Sequence, residues 1–244
     1  MVFLLLGLAL GFCSGCFRHL LFDSFDPPSG EVLLESSFDN GSSAEWIPFP
    51  DERYWTVKDG RYGLASHAPN GVPQRTFSRE TDWNRLTWHN YTITARVLFV
   101  TSRGDDWRGP DDNLTSILFR VIDDSNYMEL RFSPLSACYN IHWQPLGPPS
   151  AEVSLFSHKD DESTLLCWGF VGYHGESEFE VRIEARGGLC AVFVDDCHVL
   201  SASDVHPHVG GIGLQTSVQH RPSELLEEEY WSEAWFSDVH VEAL

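Results

Sequence analysis

The stretch FRVIDDSNYMELRF, residues 119–132, indicates a β-hairpin and with it the class of fold. Two apolar-rich runs flank the segment 123–126, whose Asp, Ser and Asn side chains favour turns because they hydrogen-bond to nearby backbone groups. A four-residue loop here places Ile122 opposite Tyr127 and leaves apolar and polar side chains alternating along both strands. We therefore interpret the polar segment mainly as a turn. One face of the hairpin is expected to pack in the core, namely Phe119, Val121, Met128 and Leu130.

The other face of this hairpin is polar and carries Arg120, Tyr127, Glu129 and Arg131. A groove that binds sugars needs planar hydrogen-bond donors, acceptors and an aromatic platform, and these side chains supply each of them. We expect all four residues to contact a ligand. The alternative is a solvated face on which Arg120 and Glu129 form a cross-strand ion pair of little energetic value.

Strand-like runs follow one another along the rest of the chain from Leu34 onwards. Runs such as NYTITARVLFV, FEVRIEA and LCAVFV are rich in β-branched and aromatic residues, and clusters of Gly, Pro, Asn and Asp separate them. There is no tandem repeat, and the one helix-like segment, RPSELLEEEYWSEAW (221–235), falls between two late strands. The sequence predicts one all-β domain in which two antiparallel sheets pack face to face.

The order of these runs resembles a known superfamily. It begins with SFDNGSSAEWIPFPDERYWTVKDGRYGL, continues through SILFRVIDDSNYMELRF and FEVRIEARGGLCAVFVDDCHVL, and closes with VGGIGLQTS and AWFSDVHV. Over residues 34–244 this succession resembles the laminin-G-like or concanavalin-A-like jelly roll of the lectin and glucanase superfamily. The resemblance implies a two-sheet β-sandwich with an arginine-bearing strand on its concave face. Lectins, sugar-cleaving enzymes and protein-binding modules all share this fold, so the resemblance specifies the fold far better than the function.

The chain is strongly acidic. Its 244 residues carry a formal net charge of −20, with 16 Lys and Arg against 36 Asp and Glu. Such a charge repels nucleic-acid backbones and anionic lipids, so we expect no nucleic-acid partner and no role at a membrane surface. The apolar fraction of 42% is ample for a packed core.

The N-terminus predicts export from the cell. Residues 1–16, MVFLLLGLALGFCSGC, contain an apolar run whose length suits a signal peptide, and residues 17–33 form a linker with a Pro-Pro break. An uncleaved anchor is the alternative. Three N-glycosylation motifs, at Asn40, Asn90 and Asn113, favour a eukaryotic secretory route. We expect a secreted, extracellular glycoprotein with no membrane insertion in the mature chain.

Six cysteines fit an oxidising compartment. Two of them lie in or beside the leader, which leaves Cys138, Cys167, Cys190 and Cys197. A hairpin turn at residues 195–196 places Val194 opposite Cys197, so that a bridge between Cys190 and Cys197 is unfavourable. We favour a disulfide between Cys138 and Cys167, although four cysteines permit three connectivities.

Three carboxylates at alternating positions leave a catalytic alternative open. Glu176, Glu178 and Glu180 resemble the E-x-D-x-E motif of laminarinase-type glycosidases, in which one carboxylate attacks and another protonates the leaving oxygen. Here Glu replaces the central Asp. The laminin-G-like pattern instead makes this run an ordinary strand, with Phe179, Val181 and Ile183 inward and the acidic side chains solvated.

Two further features concern ligands. Asp39 and Asp238 fall in the opening and closing strands, which we expect to run side by side, so their oxygens are candidates for a structural calcium site. Either Asp could instead cap a turn. Trp107 lies in the polar loop SRGDDWRGPDDN and is a candidate for stacking on a sugar.

Together these features favour non-catalytic, lectin-like recognition of a glycan or glycoconjugate on the polar sheet face, with Trp107 from a neighbouring loop. One alternative is a glycosidase that acts through Glu176, Glu178 or Glu180, and a likeness to 3-keto-disaccharide hydrolase-type domains also implies this activity. Another alternative is an extracellular module that binds a protein or has a structural role.

Overall fold

Alternation of apolar and polar residues produces strands along almost the whole of the described chain. The computed structural model describes residues 27–65, 68–69, 72–79, 88–101, 114–135, 150–172, 177–217, 219–222 and 229–244. In these ranges there are sixteen strands and one short 3-10 helix, Glu52–Tyr54. In chain order the strands are β1 (Val32–Ser36), β2 (Trp46–Phe49), β3 (Trp55–Lys58), β4 (Arg61–Leu64), β5 (Gln74–Ser78), β6 (Tyr91–Thr101), β7 (Thr115–Val121), β8 (Tyr127–Leu135), β9 (Ser150–Lys159), β10 (Glu162–Gly172), β11 (Ser177–Arg186), β12 (Leu189–Val194), β13 (Cys197–Ala202), β14 (Gly211–Thr216), β15 (Gln219–Pro222) and β16 (Glu229–Ala243). Among the residues described, no helix is long and apolar enough to cross a membrane.

The first sheet, sheet I, is built around the long last strand. Its order is β13-β12-β11-β6-β16-β4-β3, and β1 and β15 also pair with β16. The opening and closing strands therefore lie side by side as predicted, with Ser36 opposite Val239.

The second sheet, sheet II, has the order β10-β9-β8-β7-β14-β5-β2, and all of its strand pairs are antiparallel. Sheet II is packed against sheet I. The predicted all-β sandwich of two antiparallel sheets is confirmed.

The core lies between the two sheets because each strand alternates its side chains across the sheet. From sheet I, Ile93 and Phe99 on β6 and Val181 on β11 are buried, while their neighbour Arg96 faces solvent. Sheet II contributes the fully buried Leu130 on β8. A large apolar side chain buried in this way stabilises the fold by roughly 1.5–3 kcal/mol.

The hairpin at residues 119–132 is present with a pairing shifted by two residues from the one predicted. Phe119, rather than Val121, lies opposite Met128, and Leu118 lies opposite Glu129. A shift by an even number keeps each strand's faces, so Phe119, Met128 and Leu130 are in the core as predicted. Val121 instead packs with Leu118 on the outer face.

A β-bulge at Arg120 accounts for the outward position of Val121. Arg120 has a φ of 50°. The register between β7 and β14 shifts at the same level, between Gly211 and Ile212. The bulge reverses the direction of the following side chain, which sends Val121 outward. It also needs the close approach of Gly210, where an added Cβ would lie 2.3 Å from the carbonyl carbon of Arg120.

The segment 123–126 is a turn, as predicted. The Asp123 carboxylate accepts hydrogen bonds from the Ser125 backbone N–H and the Asn126 side-chain amide, both at 2.9 Å. The loop closes through the Ile122 N–H, which donates to the Asn126 carbonyl at 2.9 Å. Its polar side chains therefore bind one another, as turn chemistry requires.

The helix-like segment 221–235 is partly strand, which corrects the prediction. β15 extends to Pro222 and β16 begins at Glu229, with Trp231 opposite His220. Pairing of β16 with β15 from Glu229 and with β6 from Ser232 overrides the helical preference of the local sequence.

Candidate functional site

A cluster of polar side chains lies on the outer face of sheet II, on the five neighbouring strands β9, β8, β7, β14 and β5. On β8, Tyr127, Glu129 and Arg131 point outward because the alternate residues Met128 and Leu130 fill the core. The neighbouring strands add four side chains to this face. We call the set of seven the Glu129 cluster: Arg75, Ser116, Tyr127, Glu129, Arg131, His158 and Gln215.

Glu129 is the centre of this cluster and is only 1% exposed. Its Oε1 accepts hydrogen bonds from Ser116 Oγ at 2.6 Å, Arg131 Nε at 3.0 Å and Gln215 Nε2 at 3.2 Å. Its Oε2 accepts from Arg131 Nη2 at 2.8 Å and lies 2.7 Å from His158 Nε2. Since an ionised carboxylate only accepts, Nε2 of His158 carries the proton. The two carboxylate oxygens thus have five donors between them.

These donors determine the charge state of Glu129. Burial alone would raise its pKa, but the hydrogen bonds from His158 and Arg131 and the positive charge of Arg131 lower the pKa to about 2. Glu129 is therefore ionised at neutral pH. An acid of this strength does not protonate a leaving group, and a carboxylate with its lone pairs occupied is a poor nucleophile.

Arg75 extends the cluster from the distant strand β5. Its Nε donates to Gln215 Oε1 at 2.7 Å, and its Nη2 donates to the Tyr127 hydroxyl at 2.7 Å. Its Nη1 donates to the Asp124 carbonyl at 3.0 Å and so holds the turn at 123–126. Gln215 consequently bridges Arg75 and Glu129, with its carbonyl towards one and its amide towards the other.

Aromatic rings pack among these charges. Tyr127 and His158 stack with ring centroids 4.3 Å apart. The Arg131 guanidinium lies 4.3 Å from the centre of the Phe156 ring, and that of Arg75 lies 4.9 Å from the Tyr127 ring. Such contacts fix the planes of the two guanidinium groups. The face thus presents pre-oriented donors beside aromatic surface, which is the chemistry that recognises hydroxyl-rich ligands.

The structure brings together three of the four side chains predicted to share this face: Tyr127, Glu129 and Arg131. Sequence reasoning missed Arg75, Ser116, His158 and Gln215. His158 had a detectable signal, since Val153 and Leu155 alternate with Phe156 and His158 in AEVSLFSH. Arg75 and Gln215 come from strands whose partners in the sheet are distant in sequence. Ser116 lies on β7, the first strand of the predicted hairpin, opposite Arg131.

Arg120 does not belong to this face, which corrects its predicted position. The bulge turns its side chain between the sheets, where it is 0% exposed. Its guanidinium donates to the carbonyls of Pro207 at 3.3 Å and of Val205 and Leu189 at 3.5 Å. Burial lowers its pKa. The alternative ion pair with Glu129 is also wrong, because Glu129 binds Arg131 and His158 instead.

The candidate catalytic glutamates lie on the opposite side of the molecule, on the outer face of sheet I. Phe179, Val181 and Ile183 point inward, and Glu178 and Glu180 point outward, as the laminin-G-like pattern implies. Glu178 pairs with Arg61 at 3.3 Å and lies 4.0 Å from Arg96. Glu176 lies outside the described residues.

Both predicted calcium ligands lie among the described residues. Asp39 is exposed in a turn after β1, and Asp238 lies at a bulge in β16, 3.5 Å from Arg96 Nε. In the described ranges, no three His, Cys, Asp or Glu side chains are grouped so that they could hold a metal ion. Calcium binding stays a prediction.

The remaining predicted residues are only partly described. Cys167 is a free thiol in the structure and Cys138 lies outside the described residues, so the disulfide between them is not shown. The β12–β13 turn is present, with Val194 opposite Cys197 as predicted. Cys190 lies opposite Ala202 because the register shifts after Val192.

Among the glycosylation sites, Asn40 is exposed and Asn90 is half-buried, with its Oδ1 accepting from the Gly187 N–H at 2.8 Å. Asn113 and Trp107 lie outside the described residues, as does the leader, residues 1–16. Glycosylation and sugar stacking by Trp107 therefore stay predictions.

Solved structures with a similar fold come from several sources. The chain matches the carbohydrate-binding module CBM66 from Bacillus subtilis with a TM-score of 0.54 and 15% sequence identity, over 83% of this chain and 97% of the module. It matches a Bacillus licheniformis β-glucanase with a TM-score of 0.53 and 9% identity, over 87% of this chain and 98% of the enzyme.

A third match is the carbohydrate recognition domain of Emp47p, with a TM-score of 0.51 and 12% identity over 89% of this chain and 98% of that domain. No protein-family model and no curated protein sequence matches the chain. Likeness at such low identity establishes the fold alone. The chain therefore has the concanavalin-A-like jelly-roll fold, a sandwich of two antiparallel sheets, that its sequence resembles.

Proposed function

We propose that this protein is a secreted, lectin-like module that binds a glycan on the outer face of sheet II without cleaving it. The observation that carries the proposal is the arrangement around Glu129. Five donor atoms on four side chains hold the carboxylate, and this in turn fixes the side chains of Arg131 and His158 beside Phe156. A polar site whose groups are already oriented loses little entropy when a ligand binds.

The groups that remain for a ligand lie at the solvent side of the cluster. The side chain of Arg131 is 25% exposed and that of His158 is 13% exposed, against 1% for Glu129. Nη1 of Arg131 makes no hydrogen bond to the described residues, and Nδ1 of His158 likewise has no partner among them. Arg131 and His158 would therefore contact sugar hydroxyls, and Glu129 would position them.

The fold supports the ligand class. A carbohydrate-binding module, a carbohydrate recognition domain and a glucanase share it with this chain. The charge state of Glu129 supports binding over hydrolysis at this face. With a pKa of about 2 it does not act as the acid of a glycosidase, and with five hydrogen-bond donors on its oxygens it is a poor nucleophile. The glycosidase alternative would place the chemistry on Glu178 and Glu180 of sheet I.

Binding of the secreted full-length protein to a broad glycan array, with and without a calcium chelator, tests this proposal. Saturable binding to one glycan class is the expected result, and loss of binding in chelator would also support the proposed calcium site at Asp39 and Asp238. A folded protein that binds no glycan would contradict the proposal and would favour the module that binds a protein. Release of sugar from bound glycans, lost in Glu178→Gln, would favour the glycosidase.

A further inference from the structure

The outer face of sheet II continues beyond the Glu129 cluster to the edge strand β10. Strand register defines a row of outward side chains that runs across the sheet, perpendicular to the strands. From Arg131 the row passes through Ser154 on β9 to Trp168 on β10. In the other direction it passes through Ser116 and Gln215 to Arg75 on β5. One row thus connects the polar cluster to an aromatic side chain at the edge.

Trp168 and Phe170 form an exposed aromatic pair at that edge. Their side chains are 56% and 53% exposed, although the residues between and beside them, Cys167, Gly169 and Val171, face the core side of the same strand. Exposing two large neighbouring aromatic rings to water is unfavourable in free energy, and such a pair is typical of a binding surface. Phe170 lies opposite Glu152 on β9. The Oε1 atom of Glu152 accepts a hydrogen bond from Ser154 Oγ at 2.7 Å.

We propose that the ligand is an extended glycan chain that lies across the strands of sheet II, from the Glu129 cluster to an aromatic subsite formed by Trp168 and Phe170. This inference rests on the proposed function. Ring faces of Trp and Phe bind the C–H faces of sugars, and Glu152 adds a hydrogen-bond acceptor for their hydroxyls. The two regions therefore offer complementary chemistry to a single carbohydrate chain.

The distance between the two regions excludes a single sugar as the whole ligand. Neighbouring strands lie roughly 4.8 Å apart, so Trp168 is about 10 Å from Arg131, two strands away, and about 24 Å from Arg75, five strands away. A monosaccharide is too short to contact both ends of the row. An oligosaccharide spans it, and each added unit gains contacts.

The geometry of the aromatic pair favours a single flexible chain over a flat crystalline surface. The two rings are 5.2 Å apart between centroids and inclined by 73°. A planar polysaccharide surface would require coplanar rings. An inclined pair instead forms a corner that holds one chain on two of its sides.

The test asks whether the gain in affinity with ligand length depends on the aromatic subsite. An array of immobilised glucan, xylan, mannan and glycosaminoglycan oligosaccharides, each from disaccharide to hexasaccharide, would be probed with the wild-type protein and a Trp168→Ala/Phe170→Ala variant. We expect wild-type affinity to rise with chain length. The double variant should lose most of this gain, with hexasaccharide affinity reduced about tenfold or more and disaccharide affinity unchanged, since each of the two aromatic contacts is worth up to about a factor of ten.

Two controls keep the result specific. Leu189→Ala removes a similarly exposed apolar side chain from β12 of sheet I and should change nothing. Trp168→Phe keeps a ring at the position and should retain part of the gain with length. Both variants change exposed side chains, so folding is expected to be intact and is checked by circular dichroism.

Three outcomes would overturn the inference. If the double variant binds the hexasaccharide as tightly as wild type, the aromatic pair is not a subsite, while the proposed function stands. If the double variant instead converts a dimer into a monomer with unchanged glycan affinity, β10 is a protein interface. If the wild-type protein binds no glycan at all, the proposed function fails together with the inference.

Discussion

Arg131 and Glu129, two residues apart on β8, form a bidentate ion pair on the outer face of sheet II, with Nε–Oε1 at 3.0 Å and Nη2–Oε2 at 2.8 Å. An arginine held in this way has a fixed guanidinium plane, and it exposes its remaining edge to solvent. The same Arg and Glu spacing occurs on sheet I, where Arg182 binds Glu184 and lies 3.9 Å from the Phe193 ring. The molecule therefore contains its own matched control for the role of Arg131.

The ion pair predicts how stability depends on pH. The pKa of Glu129 is lowered from 4.5 to about 2 in the folded state, so its contribution is present above the unfolded pKa and is lost as the pH falls through the folded value. A shift of this size corresponds to about 3 kcal/mol of unfolding free energy. We expect the free energy of unfolding to fall between about pH 5 and pH 2. Urea titrations over this range measure it.

Glu129→Gln supplies the comparison for this titration. The variant should be less stable than wild type at neutral pH, and its stability should depend less steeply on pH in the acidic range. Parallel slopes for the two proteins would show that the ionised Glu129 is not the stabilising group.

Arg120→Ala should affect stability and leave glycan binding intact. The Arg120 side chain fills space between the sheets and donates to the carbonyls of Val205, Pro207 and Leu189. Its removal leaves a cavity and three carbonyls without these donors. This is expected to lower the free energy of unfolding by roughly 2–4 kcal/mol. Urea unfolding measures the loss, and glycan titration of the folded variant measures affinity. A stable variant with weakened glycan binding would place Arg120 in the site after all.

The two cysteines of the β12–β13 hairpin should differ in reactivity. Burial raises the pKa of the Cys190 thiol to about 12, so it carries almost no thiolate at mildly alkaline pH, whereas Cys197 is exposed. Because the thiolate is the reactive species, iodoacetamide should label Cys197 in the native protein and Cys190 only after unfolding. Mass spectrometry of labelled peptides resolves the two sites. Equal labelling of both thiols in the native protein would contradict the buried position of Cys190.

The strands, their faces and part of the site follow from local sequence. Tyr127, Glu129 and Arg131 alternate with Met128 and Leu130, and this period of two places them opposite the core whatever the exact register. The same logic places Phe179 and Val181 inward on β11. Such positions are predictable because one face of each strand has to be buried.

Arg120 shows where local pattern fails. Its side chain continues the alternation in the sequence, but a bulge at that position rotates it into the core. The bulge depends on Gly210, which approaches from a distant segment and has room only because it lacks a side chain. Nothing within the hairpin sequence encodes this contact.

Arg75 and Gln215 show a second limit of prediction from local sequence. Each lies on a strand that joins the cluster through the order of strands in sheet II, β8-β7-β14-β5, which is not the order in the chain. Pairing between distant strands is decided by tertiary packing. Trp168 and Phe170 are different, since their alternation with Cys167, Gly169 and Val171 in CWGFVG already marks an outward aromatic pair in the sequence.

The most direct test of the proposed binding face is isothermal titration of wild type, Arg131→Ala and Arg182→Ala with the glycan that binds best on the array. Both substitutions remove an arginine that binds a neighbouring glutamate and covers a phenylalanine, and only Arg131 lies on sheet II. We expect Arg131→Ala to weaken binding by tenfold or more, which is about 1.4 kcal/mol or more of binding free energy. The substitution removes contacts to the ligand and the ion pair that fixes the position of Glu129. Arg182→Ala should bind as wild type does. Equal affinity of Arg131→Ala and wild type, or a larger loss in Arg182→Ala, would contradict the assignment of glycan binding to sheet II.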